Sequence, residues 1–363
     1  MIRGFPLAVR RSGLALFAVL AGASCDNTDS LNSPTETPTT ASAADSATLT
    51  DTSTAAADSL SAPVDSLSAA VDSLAPLAAI SYSGIPYGPF GLWDGVGFEW
   101  GPAPFTSSHD NTFANTIVSR INTARQRRQR LALAMTGGVS STYKTNGKFD
   151  LAKWKNRMNT FKTSTIKNAV AAGVADGTIL GNSIMDEPET KQWGGVMTKP
   201  LLDQMARYVK DIFPTLPVGV NHGAPGYQWR TSERYRVVDY TLNQYQWRAT
   251  SGNIGAWRDA VLSRARSEGI TPAFSINLLN GGVPDTRGSW DCTGTGGKGT
   301  YYPNCRMTAS QVSSYGKAVG PSGCFMLMWR YDNLFMSKSA NVSAFRDVAS
   351  LLATKSRRSC RRS

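Results

Sequence analysis

Beyond residue 80 the chain alternates between short apolar segments and longer segments in which apolar residues recur at helical spacing. Short apolar runs bounded by polar residues or glycine predict buried strands. We predict seven strands in this way, at residues 90–93, 131–135, 178–185, 217–221, 237–244, 271–277 and 324–329. The segments between them predict helices at residues 111–128, 151–172, 199–212, 253–267, 308–318 and 342–352.

This alternation implies parallel strands joined by right-handed helical crossovers. We therefore expect an α/β fold over residues 81–354, namely a (β/α)8 TIM-type barrel that need not be regular, rather than an open doubly wound sheet. An eighth strand would have to lie in a stretch of weak pattern. No Gly-x-Gly-x-x-Gly segment follows the first strand and no Gly-Lys-Ser/Thr loop is present, so a nucleotide cofactor has no support and no cofactor is expected.

Residues 1–25 are typical of an export signal, with three arginines among the first eleven residues, a short apolar run at 14–20 and small residues before Cys25. The apolar run is too short to span a bilayer permanently. The segment resembles a bacterial lipoprotein signal, which implies that Cys25 is lipidated and anchors the protein to the membrane. Gly22 departs from that pattern, because a Leu-like residue is usual there. The alternatives are a lipid-anchored protein of the bacterial cell envelope and an ordinary secreted protein.

Residues 26–80 consist almost entirely of Ser, Thr, Ala, Asp and Pro, a composition that cannot bury enough surface to offset the entropy of ordering. We predict a disordered linker there. Charge is concentrated after it: from Ser81 onward there are 35 basic and 18 acidic residues, and residues 355–363 form a basic tail. This balance suits an acidic surface or polymer as a partner, although a basic secreted protein without an acidic ligand has the same composition. No basic–aromatic motif indicates nucleic acid.

The segment at residues 181–189 is the strongest candidate for chemistry. An apolar run ends in Asp186 and Glu187, and Pro188 then stops the strand because it has no N–H to donate. In a parallel barrel the C-terminal strand ends carry the active site. The alternative is that Asp186 caps the following segment and Glu187 is simply solvated.

Acids, amides and aromatic rings also follow the other predicted strands, and a barrel would bring these ends together on one face. Carboxylates and amides bind sugar hydroxyl groups, and Trp or Tyr rings stack on sugar rings. The candidate substrate-binding residues are Trp93, Asp186, His222, Asn243, Tyr245, Trp247, Asn277 and Trp329.

The strand end Asp186-Glu187-Pro188 and the segment from Trp329 to Asp332 resemble the glycoside-hydrolase-like (β/α)8 barrels, without pointing to one family. This resemblance implies that Glu187 is a general acid/base and that a second carboxylate attacks the sugar or activates water. Asp332 fits the second role best by position, and Asp94 next. No Glu ends a late strand, so a barrel that binds glycans without cleaving them is the alternative, and a structural envelope protein that holds acidic polymers is a third.

His109 and His222 are the only histidines, and His222 could contact substrate or be structural. No His-x-x-x-His or clustered Cys spacing is present, so no metal site is expected. Cys292 and Cys305 bracket a glycine-rich loop, and we predict a disulfide between them because the chain carries an export signal. The pairing of Cys324 with Cys360 stays open. No serine-hydrolase elbow or catalytic cysteine is indicated.

Overall fold

The computed structural model describes residues 83–90, 105–137, 140–223, 231–246, 253–279, 281–282, 306–329 and 331–362. The element numbers used below count only the helices and strands of these residues. The linker, the export signal, Cys25, Trp93, Asp94, Trp247 and the Cys292–Cys305 pair lie outside the described residues, so the predictions on them stay predictions.

Eight parallel strands form the centre of the fold. They pair in the order β1-β10-β9-β8-β7-β6-β3-β2. Their bounds are β1 Tyr87–Pro89, β2 Ser107–Asn111, β3 Arg130–Ala134, β6 Ile179–Asp186, β7 Val218–His222, β8 Tyr240–Tyr245, β9 Thr271–Asn277 and β10 Met326–Trp329. A small antiparallel hairpin, β4 Lys144–Thr145 with β5 Lys148–Phe149, lies outside this sheet.

The two ends of the sheet meet and close it. The Thr106 N–H, just before β2, donates to the carbonyl oxygen of Tyr87 in β1 at 2.9 Å. The approach is close enough to require glycine, because a Cβ on Gly88 would lie 1.5 Å from the carbonyl oxygen of Ser107. The prediction of a (β/α)8 barrel is therefore confirmed by eight parallel strands that close on themselves.

Helices cover the outside of this barrel. In chain order they are α1 Ile117–Gln126, α2 Leu151–Asn159, α3 Ser164–Ala175, α4 Lys199–Ile212, α5 Ile254–Glu268, α6 Ala309–Val319, α7 Asn333–Met336 and α8 Ser339–Ala353. Polar side chains begin several of them: Thr198 caps α4, Asn253 caps α5, and Thr308 forms a capping box with Gln311 at α6. No helix of the described residues is long and apolar enough to cross a membrane.

Three predicted elements differ from the structure. The strand that the apolar pattern did not reveal is β2, Ser107–Asn111, a polar segment. The helix predicted at 151–172 is two helices, because the Thr163 hydroxyl accepts the Ile166 N–H and starts a new one. The first strand begins earlier than predicted, at Tyr87–Pro89, and Phe90 continues its pairing through an N–H donated to Met328, whereas residues 91–93 of the predicted strand lie outside the described residues.

The barrel interior is filled by a few large rings against small residues. Tyr240 in β8 is fully buried and packs edge-on against Phe325, with ring centroids 5.4 Å apart. Gly219 and Gly181 make room for the Tyr240 ring, because a Cβ at Gly219 would lie 2.1 Å from it. Two larger apolar clusters fill the layer between strands and helices. This arrangement leaves the C-terminal strand ends as the place for polar side chains.

The basic tail is part of the folded barrel. Cys360 forms a disulfide with Cys324, with Cα atoms 5.4 Å apart, just before β10 begins. The Thr271 hydroxyl at the start of β9 donates to the carbonyl oxygen of Arg361 at 2.7 Å, and the Arg362 N–H donates to Asp239 before β8 at 3.2 Å. The tail thus crosses the N-terminal ends of three neighbouring strands, at the end of the barrel opposite Asp186.

Candidate functional site

The fourth strand of the barrel, β6, ends in the acidic segment that the sequence singles out. Asp186 is its last residue, and the Glu187 N–H still donates to the carbonyl oxygen of Asn221 in β7 at 2.9 Å. Glu187 then adopts a φ of +43°, which is uncommon for a residue with a side chain. Such strained positions concentrate at functional sites. Glu187 thus follows directly after the C-terminal end of β6, at the mouth of the barrel.

Gly223, just after β7, provides the space for the Glu187 carboxyl group. A Cβ built on Gly223 would lie 2.9 Å from Oε1 of Glu187 and 3.4 Å from Oε1 of Glu189. The Gly223 N–H donates to that same Glu189 oxygen at 2.7 Å. Two carboxyl groups therefore lie side by side over one glycine.

Glu187 has an unusual acidity as a result. Burial raises its pKa from 4.5 to about 8, and the negative charges of Asp186 and Glu189 add to the increase. The carboxyl group is consequently protonated at neutral pH. A protonated carboxyl group at a barrel mouth can donate a proton to a bound ligand.

Asp186 is the second acid of the site. Its pKa is also raised, chiefly because protein atoms crowd the carboxyl group, even though the residue keeps solvent-accessible surface at the mouth. Glu189 adds to the rise, whereas a hydrogen bond from Asn221 Nδ2 at 3.4 Å and the nearby His222 oppose it. Its backbone carbonyl accepts the Trp193 indole N–H at 2.8 Å, which fixes the strand end.

The buried His222 side chain contacts the Glu189 carboxyl group. The imidazole is only 1% exposed, with Nδ1 at 3.3 Å from Oε2 of Glu189 and Nε2 at 2.9 Å from the Tyr235 hydroxyl. Of the two roles that the sequence left open, this burial supports the structural one, because a buried ring between two protein partners has little surface for a ligand.

Three other predicted substrate-binding residues, Tyr245, Asn243 and Asn277, are also buried. The Tyr245 ring is 0% exposed and packs edge-on against Trp257 and Tyr315, at centroid distances of 5.3 and 5.1 Å. The prediction of Tyr245 as a sugar platform is wrong for this structure, because its position on β8 turns the ring outward beneath the helices. Asn243 is buried as well, and its Nδ2 donates to the carbonyl oxygens of Thr241 and Ala273 at 3.0 and 3.2 Å. It too is a structural residue.

The remaining predicted residues lie on the last two strands and beyond. Asn277 is buried at the end of β9, where its Nδ2 donates to Oε1 of Gln244 at 3.3 Å. Trp329 is half-buried at the end of β10, in register with Asn277. Asp332 lies three residues after the end of β10, where its Oδ1 accepts the Phe335 N–H at 2.7 Å and caps the short helix α7.

Sequence reasoning missed two residues of this site. Glu189 belongs to the acidic segment but was given no role, and Gly223 follows a strand without a polar side chain of its own. The signal for Glu189 was its position two residues after Glu187. Among the described residues no group of three or more His, Cys, Asp or Glu side chains could hold a metal ion.

Comparisons with known proteins find distant structural similarity alone. No protein-family model matches the chain, and no curated protein matches it. The chain is similar in structure to xylanase 10B from Thermotoga petrophila RKU-1 in complex with xylobiose, at 11% identity, covering 74% of this chain and 94% of that chain with a TM-score of 0.44. It is also similar to a GH113 β-1,4-mannanase, at 9% identity over 76% of this chain and 100% of that chain, with a TM-score of 0.46.

A third similar structure is a glycoside hydrolase family 5 mannosidase from Rhizomucor miehei, at 9% identity over 69% of this chain and 85% of that chain, with a TM-score of 0.43. The chain is thus similar to glycoside-hydrolase barrels, and no single family is identified.

Proposed function

We propose that this protein is an exported glycoside hydrolase that acts on a polysaccharide or oligosaccharide. The observation that carries the proposal is the Glu187 carboxyl group at the C-terminal mouth of the barrel, with a pKa raised to about 8. Hydrolysis of a glycosidic bond needs an acid that stays protonated at working pH and a second, ionised carboxylate. Burial beside Asp186 and Glu189 gives Glu187 the first of these properties.

In the proposed reaction, Glu187 donates its proton to the glycosidic oxygen as the bond to the anomeric carbon breaks. A carboxylate on the other side of the sugar either attacks that carbon or deprotonates the water that does so. In the first case Glu187, now ionised, takes a proton from the water that releases the sugar. The Glu187 carboxyl group is placed for a partly open site, since its residue is half-buried and its neighbour Asp186 retains accessible surface.

The identity of the second carboxylate is a proposal among three residues. Asp332 is the choice by position, although its Oδ1 is already engaged by the Phe335 N–H. Asp94 lies outside the described residues. Asp186 is the third, because its charge acts directly on Glu187 and its own pKa is raised less.

The test is hydrolysis of a panel of neutral and acidic polysaccharides by the wild-type protein and by Glu187→Gln. We expect reducing sugar to be released by the wild type, and we expect turnover to fall by at least about 100-fold in the variant while binding stays largely intact. Asp347→Asn is the matched control, because that exposed carboxylate lies on α8 and its partners within the described residues are Ser313 and Lys317. Full activity of Glu187→Gln would refute the assignment.

Azide rescue distinguishes among the three candidates for the second carboxylate. An Asp→Asn or Asp→Ala variant of the true partner loses activity, and azide restores turnover by taking the place of the lost carboxylate on the anomeric carbon or of the activated water. The anomeric configuration of the sugar first released by the wild type, followed by NMR, reports separately whether the enzyme retains or inverts. Rescue in only one of the Asp94, Asp186 and Asp332 variants identifies the residue.

A second candidate function is a non-catalytic glycan-binding barrel. It is favoured by one observation: the seventh strand, β9, ends in an amide and not in a carboxylate that could act as the second acid. Its last residue is Asn277, and the Nδ2 of Asn277 donates to Gln244. This function predicts affinity for an oligosaccharide without hydrolysis at any pH. For the hydrolase and for the glycan-binding barrel alike, we propose a neutral or acidic carbohydrate as the ligand. We also propose that a lipid on Cys25 anchors the protein to a membrane of the bacterial cell envelope.

A further inference from the structure

A groove of about 410 Å³ lies at the N-terminal end of the barrel, opposite the mouth that contains Glu187. Its floor is apolar and is formed by the end of α3 and by the beginning of β6, including Val174, Ile179 and Leu180. The basic tail forms the other wall, with Arg357, Arg358 and Arg361 along it. The groove is therefore amphipathic, with an apolar floor below a row of guanidinium groups.

The wall that carries the arginines is fixed in place. The disulfide between Cys324 and Cys360 lies between Arg358 and Arg361 in the chain. The Arg361 side chain donates to the carbonyl oxygen of Thr215, and the Arg358 side chain donates to that of Ser322 at 2.9 Å. The guanidinium groups thus project from a pinned segment and are preorganised for a ligand.

No carboxylate among the residues that line the groove compensates these charges. Arg358 and Arg361 contact neutral carbonyl groups, and Arg357 has no hydrogen bond or ion pair within the part of the chain that the structure describes. Asp176, next to the groove in the sequence, is held by Arg125 at 2.6 Å on α1. Three uncompensated guanidinium groups over an apolar floor indicate a ligand with a negative head and an apolar extension.

The position of the groove points to the source of that ligand. The chain enters the barrel at the same end, because the Ile85 N–H donates to the carbonyl oxygen of Leu352, three residues before the basic tail. The 82 residues before the described part, with the linker and Cys25, therefore join the barrel at the end that carries the arginines. A membrane surface at that end of the barrel would contact the arginines first, and the mouth with Glu187 would face away from the membrane.

We propose that this groove binds an anionic phospholipid, with the headgroup phosphate on the three arginines and the first methylene groups of an acyl chain against Val174, Ile179 and Leu180. Guanidinium groups form paired hydrogen bonds with phosphate oxygens. Basic residues near an anionic leaflet each add attraction that fades within a Debye length. This site does not depend on the proposed glycoside hydrolase activity.

The test uses the full chain with Cys25→Ser, so that no lipid is attached, and measures its association with vesicles of phosphatidylglycerol and phosphatidylcholine or of phosphatidylcholine alone. We expect stronger association with the anionic vesicles, and we expect the Arg357→Ala/Arg358→Ala/Arg361→Ala variant to lose about fivefold for each arginine removed. Lys355→Ala, which removes a charge from the same tail outside the groove, should lose less than any single arginine. Equal binding to both vesicles, or an unchanged triple variant, would overturn the proposal.

A second pair of variants tests the apolar floor. Val174→Asp places a carboxylate in the groove, whereas Ala172→Asp makes the same change of charge at an exposed position of α3 that does not line it. We expect only Val174→Asp to weaken association, measured at a temperature at which both variants are folded, because Val174 also packs against the apolar cluster beneath α3. If inorganic phosphate binds and anionic vesicles do not, the site is one for a soluble anion and the lipid assignment is wrong.

Discussion

Gly223 and Glu187 are in such close contact that a side chain on Gly223 would force the Glu187 carboxyl group to move: a Cβ on Gly223 would lie 2.9 Å from Oε1 of Glu187. The same point lies 3.4 Å from Oε1 of Glu189. The first distance is shorter than an ordinary contact with a methyl group, whereas the second is an ordinary van der Waals contact. The absence of a side chain after β7 is therefore one reason why two carboxyl groups can approach each other at the end of β6.

Gly223→Ala should displace the Glu187 carboxyl group. We expect activity to fall by about 10- to 100-fold, because a shift of about 1 Å in a catalytic group has that effect. Steady-state hydrolysis with a soluble oligosaccharide is the measurement. Gly255→Ala is the control, because its Cβ would meet only Asn253 Oδ1, at 3.8 Å. If both variants are equally active, the glycine does not position Glu187.

The pH dependence of hydrolysis should report Glu187. As a general acid it must be protonated, so kcat/KM should fall on the alkaline side with a midpoint near pH 8. Glu189→Gln removes one of the negative charges that raise this pKa, and the alkaline midpoint should move to lower pH. Asp347→Asn should leave the midpoint unchanged. A midpoint that moves to higher pH in Glu189→Gln would contradict the electrostatic explanation.

The same pKa shift also affects stability. Because the pKa of Glu187 is about 8 in the folded protein and 4.5 is its ordinary value, the folded state binds this proton more tightly between those pH values. The free energy of unfolding should therefore decrease as pH rises through that window. Glu187→Gln cannot ionise and avoids this loss, so its melting temperature should gain on that of the wild type from pH 5 to pH 8. A constant difference would mean that Glu187 is not buried as a neutral acid.

The apolar pattern predicted the fold better than it predicted the site. Seven of the eight barrel strands carry apolar residues, whereas β2 is Ser107–Asn111 and is held by its backbone pairing to β3, which no side-chain pattern reveals. The strand end at Asp186 and Glu187 was predictable because Pro188 marks it. Tyr245 was mistaken because residues at a strand end point alternately inward and outward, and the sequence alone does not fix the register.

The disulfide between Cys324 and Cys360 should stabilise the barrel end that the tail covers. It closes a loop with a sequence separation of 36 residues, and a crosslink of that length contributes about 2–4 kcal/mol. We expect Cys324→Ser/Cys360→Ser to lower the free energy of unfolding by that amount in urea titrations. A reductant should lower the stability of the wild type by more than that of the double variant, which keeps only the predicted Cys292–Cys305 pair. Equal sensitivity to reductant in both proteins would place the effect at another cysteine pair.

A buried ion pair supports the site from the side of α4. Lys199 and Glu268 are both 0% exposed, with Nζ 2.7 Å from Oε1, and Oε2 of Glu268 accepts the N–H of Tyr235 at 2.8 Å. The Tyr235 hydroxyl in turn contacts His222, which holds Glu189. A change at this pair can therefore reach the acids at the mouth through a short series of contacts.

Glu268→Gln should destabilise the protein by about 3–5 kcal/mol, because it removes the buried carboxylate that pairs with both Lys199 and Arg264. Adding Lys199→Met should recover part of the loss, which a double-mutant cycle in urea unfolding would measure as a coupling energy. Lys317→Met is the control, since its pair with Asp347 is exposed at 3.4 Å and is worth about 0–1 kcal/mol. A Glu268→Gln variant that is no less stable than Lys317→Met would show that the buried pair does not hold this side of the barrel.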